Sequence, residues 1–315
     1  MAASTATAKA RADEFVAEEH WARKGEVDLY MYRKYAPAAI KAGPRGVLFL
    51  VHGSSVSART AYDLDAGEHG EYSAMNVFAR WGWDVWTLDH EGYGRSSRTE
   101  GFSYILDGVE DLKAAMPVVE RATGRSRVAM FGTSSGALRA GAFCNACPER
   151  VERLGLSAFP WTGKDAPSLI KRRERLAEWQ STNTRRVDAS FYHGMLTRDI
   201  VGLTIPEMAE IVASAEMANG GGNVPNGTYV DMCINLPLVE PTEITCPVLM
   251  IRADHDGITT NKDTLTFYDA LATKDKLLLM MSGQAHNITS GINRHRFWHA
   301  LRSFLEFPGR VDNIG

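Results

Sequence analysis

The sequence predicts an α/β fold: a mostly parallel sheet with helices on both faces, interrupted once by a helical insertion. Three observations predict it. Apolar runs of strand length alternate with segments of helical periodicity through most of the chain. Val47 to Val51 is continuously apolar, as a central parallel strand covered on both faces requires. Residues 158–240 break the rhythm, with helical patterns and the loop Gly220-Gly221-Gly222 but no clear buried strand.

Val27, Leu29 and Met31 alternate with Asp28, Tyr30 and Tyr32 after a turn at Lys24-Gly25, so residues 15–34 read as an antiparallel hairpin. The strand 47–51 is followed by a helix over 71–80 that stops at Gly82, and by a strand over 84–88. Residues 104–122 form a helix closed by Gly124. A strand over 128–131 leads into a helix over 134–147, stopped by Pro148, and Val151 to Ser157 is strand again. Beyond the insertion come a strand at 247–252, a helix at 261–273, a strand at 276–281 and a last helix at 292–306. The expected organisation is a loose tail at 1–14, one core made of 15–157 and 241–315, and an inserted helical cap at 158–240.

Composition narrows the function. Apolar residues are 44% and charged residues 23% of 315, which suits a globular chain with one large core. The net charge of −3 argues against nucleic acid as the partner. No apolar run approaches the ~20 residues of a membrane span, and the first residues lack the apolar stretch of a secretory signal. With four cysteines there is no disulfide framework, so a cytoplasmic location is expected. Cys144 and Cys147 form a C-x-x-C inside a helical pattern; without a second pair to complete a metal site they read as small buried helix residues.

The strongest chemical signal is Gly132-Thr133-Ser134-Ser135-Gly136, between a strand and a helix. A G-x-S-x-G in that setting is a nucleophile elbow, a sharp turn that raises the serine above the sheet edge. Such a serine needs a base, and the base an orienting acid, in the chain order Ser, Asp or Glu, His. Downstream, the strand 247–252 runs into Asp254-His255-Asp256, and the strand 276–281 runs into Gly283-Gln284-Ala285-His286. His286 is the expected base. Asp256, further out in its loop, is favoured as the acid, with Asp254 as the alternative that caps the loop instead. His52-Gly53-Ser54 follows the strand 47–51, where an acyl-transfer site needs its second oxyanion donor. The expected donors are the N–H groups of Ser54 and Ser135.

Together with Asp89-His90-Glu91-Gly92-Tyr93-Gly94-Arg95-Ser96, these motifs resemble the α/β-hydrolase superfamily over roughly residues 20–308. The last segment resembles the D-x-x-G-x-G-x-S loop of its lysophospholipase and monoacylglycerol-lipase-like branch. The resemblance implies an eight-stranded sheet, a cap at 158–240 and structural roles for Asp89 and Arg95. The branch often carries His and Met around its nucleophile, where this chain has Thr133 and Ser135.

The expected activity is hydrolysis of a small to medium carboxylic ester through an acyl-enzyme, without metal or organic cofactor. Acyl transfer, or lactone, amide or carbon–carbon hydrolysis by the same triad, is the alternative; a non-catalytic receptor is a remote one. His52, Gly53, Trp161, Phe191 and Tyr229 are candidates for the substrate pocket. The basic run Lys171-Arg172-Arg173-Glu174-Arg175 is expected on the solvated face of its helix, with recognition of a substrate carboxylate as the alternative.

Overall fold

The computed structural model describes residues 14–309. Its main sheet has eight strands: β1 (Val16–Lys24), β2 (Val27–Tyr35), β3 (Gly46–Val51), β4 (Trp83–Leu88), β5 (Val128–Thr133), β6 (Val151–Ser157), β7 (Val248–His255) and β8 (Lys276–Ala285). They lie in the order β1-β2-β4-β3-β5-β6-β7-β8. β2 is antiparallel to both neighbours, and the remaining pairs are parallel. The chain leaves β3 to one side for β4, then crosses back to β5 on the other. Such a reversal opens a crevice at the carboxyl ends of the strands, where ligands bind in open α/β sheets.

Alternation within the central strands explains why they are apolar throughout. Val47, Phe49 and Val51 of β3 belong to one core layer, and Leu48 and Leu50 to the other. Val248 and Met250 of β7 divide from Leu249 and Ile251 in the same way. The main helices are α1 (Ala74–Arg80), α2 (Ile105–Thr123), α3 (Ser135–Ala146), α4 (Pro167–Arg173), α5 (Ala189–Thr197), α6 (Met208–Ala218), α7 (Gly227–Ile234), α8 (Asn261–Ala270) and α9 (Arg294–Leu305). Apolar residues of α2 and α3 fill one layer, and those of α1 and α9 the other.

Several element ends differ from expectation for local reasons. Residues 71–73 are a short strand paired with 63–65, because the Ser73 hydroxyl caps α1 by accepting from the Asn76 N–H. α8 stops at Ala270, where the N–H groups of Ala272 and Thr273 bond to the carbonyls of Pro241 and Ile244. β8 runs on to Ala285, rejoining β7 at His255 after a register shift. The segment between β6 and β7 holds α4 to α7, as expected, but also a ribbon of Thr184–Arg186 with Asn223–Pro225. With three residues per strand it is too short to leave a period in the sequence. The expected tail loses one residue, since Glu14 pairs with Arg80; its other thirteen lie outside the described residues. The Cys144 thiol faces Cys246 at 3.7 Å, and all four cysteines are free. Among the described residues, no helix is long and apolar enough to cross a membrane.

Candidate active site

Four strand ends of the sheet supply one cleft. Gly53 and Ser54 follow β3, Thr133 ends β5 and Ser134 follows it, and His286 follows β8; all five line it. Asp256, after β7, lies behind His286. The helical segment closes the other side with Arg172 of α4, Met195 of α5, Arg198, Val212 of α6 and Tyr229 of α7.

Ser134 sits at φ +57°, a region a side chain enters only under constraint. Its N–H donates to the carbonyl of Ser157 on β6 at 2.9 Å, and its carbonyl accepts from the N–H groups of Ala137 and Leu138. Both flanking glycines are required by space. A Cβ on Gly132 would stand 2.3 Å from the Gly136 carbonyl oxygen, and one on Gly136 2.2 Å from that of Val51. The turn is thus held between its own helix and two neighbouring strands.

His286 Nδ1 lies 2.9 Å from Asp256 Oδ1, and both side chains are buried. Burial pushes the Asp256 carboxyl up, but the His286 charge and hydrogen bond, the Ile258 N–H and Arg198 together hold it below the usual carboxylate range. Asp254 faces elsewhere and accepts from the N–H groups of Gly283 and Gln284 at 3.0 and 3.1 Å. It ties the end of β7 to the end of β8, just before His286. Ser134 Oγ and His286 share the cleft; among the described residues no hydrogen bond joins them.

Ser54 and Ser135 meet across the cleft floor, their hydroxyls 2.6 Å apart. Among the described residues, neither backbone N–H has an acceptor. Tyr93 and Arg185 donate to the Ser54 carbonyl, at 3.1 and 2.6 Å, which fixes the peptide that carries this loop.

Of the five pocket candidates, Gly53 and Tyr229 line the cleft. The other three do not. His52 is fully buried behind it, with Nδ1 on the Gly53 carbonyl and Nε2 accepting from the His90 N–H; burial holds it neutral. Trp161 packs on Phe267 and donates to the Val239 carbonyl, and Phe191 packs on Tyr192. The basic run also divides. Lys171 and Arg175 are exposed, but Arg172 turns inward and lays its guanidinium 3.7 Å from the centre of the Tyr229 ring. Arg185, from the short ribbon, stacks on the same ring at 3.7 Å. Two guanidinium groups at that distance occupy opposite faces. Burial pushes the Tyr229 hydroxyl up, yet Arg185, Arg172 and Arg198 outweigh it and bring it down to about 7.

Asp89 is buried and accepts from the N–H groups of Ala58 and Arg95, so it folds its loop against the segment after Ser54. Glu216 of α6 reaches the same segment: one oxygen accepts from the Ser57 N–H and hydroxyl, both at 2.8 Å. Arg185, Arg198 and Glu216 escaped the sequence reading because each gains its place only when the helical segment packs on the core. Among the described residues, no group of three or more His, Cys, Asp or Glu is arranged to hold a metal ion.

Residues 42–291 match a family model described as Serine aminopeptidase, S33. No curated protein matches this sequence. Among similar solved structures, a bacterial membrane phospholipase A has a TM-score of 0.66 at 17% identity, over 96% of this chain and 90% of that one. The 2-hydroxy-6-oxo-6-phenylhexa-2,4-dienoate hydrolase of Rhodococcus sp. strain RHA1 has 0.66 at 16%, over 92% and 99%. A thermophilic esterase from Thermogutta terrifontis has 0.65 at 15%, over 92% and 98%.

Proposed function

The chain belongs to the Serine aminopeptidase, S33 family and has the α/β-hydrolase fold, and from that premise we propose that it is a serine hydrolase of carboxylic esters. One observation carries the reading: a serine held at positive φ on a strand–helix turn shares a cleft with a histidine buried against an aspartate. Ser134 Oγ attacks the ester carbonyl while His286 Nε2 takes its proton. Asp256 holds the Nδ1–H tautomer and stabilises the imidazolium. The N–H groups of Ser54 and Ser135 receive the oxyanion. His286 returns the proton to the departing alcohol, then takes one from water, which adds to the acyl carbon and releases the acid and free Ser134.

Residues 158–240 act as the cap and set substrate choice, and the Asp89–Ser96 loop supports a place near the lysophospholipase and monoacylglycerol-lipase-like branch. The cleft has about 60 Å³ of free space, well under the roughly 300–1,000 Å³ of drug-sized sites, so a larger ester enters only if the cap shifts. The test is hydrolysis of 4-nitrophenyl esters by wild type, Ser134→Ala and Ser135→Ala. Activity is expected to vanish in the first variant and survive in the second, which keeps its backbone donor. The reverse pattern would move the nucleophile to Ser135.

A further inference from the structure

Three guanidinium groups meet beside the proposed nucleophile, and their charges are not balanced. Arg198 is neutralised by Asp199 through two contacts, at 3.0 and 2.9 Å. Arg185 donates to the carbonyls of Ser54 and Pro225 and to the side chains of Ser55 and Asn226, none of them anionic. Among the described residues, the one hydrogen bond of the Arg172 side chain goes to the Met232 sulfur, at 3.6 Å. Among the described residues neither Arg172 nor Arg185 forms an ion pair, although Arg185 is buried and Arg172 half-buried. An unpaired charge taken out of water is costly, and packing against Tyr229 needs only an apolar side chain. Arg185 has a structural use, since it clamps the loop of Ser54. Arg172 has none of that kind, and it lines the cleft.

We propose that Arg172, with Arg198 beside it, receives an oxyanion carried by the substrate, so that the preferred ester bears a carboxylate or phosphate apart from its scissile carbonyl. The inference rests on the serine-hydrolase reading of this cleft. A planar guanidinium presents paired donors that match a carboxylate or phosphate edge. The Tyr229 hydroxyl, drawn toward phenolate by the same cations, supplies part of the missing negative charge. A bound anion takes over that part, and Tyr229 regains its proton.

The test compares 4-nitrophenyl hemiglutarate with 4-nitrophenyl valerate, which share chain length and leaving group and differ in the terminal carboxylate. Wild type is expected to prefer the charged ester by about 10–100-fold in kcat/KM, the range of a charge-assisted hydrogen bond. Arg172→Gln should lower that ratio at least tenfold, and Arg172→Lys should lie between. Equal rates on the two esters in wild type overturn the inference and leave the hydrolase reading standing. Turnover of neither ester, with no labelling by a fluorophosphonate, overturns the hydrolase reading instead. Calorimetry on the wild-type protein then decides the anion site by itself. Binding of glutarate or glycerol 3-phosphate, but not glutaramide, upholds it and tells carboxylate from phosphate. Binding of neither anion overturns it.

Discussion

Glu216 joins the helical segment to the loop that carries Ser54, and its ionisation should be visible in stability. Its carboxyl is buried; one oxygen accepts from Ser57 twice, and the other has no partner among the described residues. Burial outweighs the Ser57 and Thr60 hydrogen bonds and pushes the group up to about 7 from an ordinary 4.5. The folded protein therefore holds this proton more tightly than the unfolded chain. The stability it contributes is complete below about pH 4.5 and is lost as pH rises through about 7. That separation corresponds to about 3 kcal/mol. Glu216→Gln keeps the shape and removes the titration. Urea melts of both proteins from pH 4 to pH 8 should give similar stabilities at the acid end. The variant should then become more stable than wild type, by up to about 3 kcal/mol at the alkaline end. Asp89, pushed up to about 6 by burial, adds a slope of the same sign, but it is present in both proteins and largely cancels in their difference. A difference that stays flat with pH would mean that burial does not raise the Glu216 carboxyl.

Asp256→Asn should lower kcat by about 10⁴ with little change in KM, whereas Asp254→Ala should cost less than about tenfold, because only the first disturbs the His286 tautomer; steady-state kinetics on one ester checks both. Gly136→Ala should destabilise the fold by more than about 2 kcal/mol in a denaturant melt, since its Cβ meets the carbonyl oxygens of Val51 and His52 at 2.2 and 2.6 Å. Phenolate absorbance, taken as wild type minus Tyr229→Phe, should show one tyrosine titrating near pH 7, and Arg172→Gln should move that midpoint upward.

What could be read in advance follows from how locally each feature is encoded. The Val47–Val51 run needs two covering layers whatever the rest of the chain does, and the structure supplies both. Gly132 to Gly136 carries its motif within five residues, although only the space at Gly132 is set by the turn itself and that at Gly136 by the end of β3. Asp254 and Asp256 are two residues apart, and the register shift between β7 and β8 directs one to backbone N–H groups and the other to His286. The far wall of the cleft was hidden. Periodicity put Arg172 on an outer helix face, but α4 ends at Arg173 and packs against α7, which places Tyr229 under the guanidinium. Trp161 and Phe191 have the bulk of pocket residues and spend it on Phe267 and Tyr192.

If Ser134 is the nucleophile, a covalent label will find it. A fluorophosphonate should add one equivalent to the wild-type protein, and peptide mass mapping should place the adduct on Ser134. Labelling should be lost in Ser134→Ala and slowed in His286→Ala. An adduct on Ser54 or Ser135, or no adduct on folded protein, would exclude Ser134 as the nucleophile.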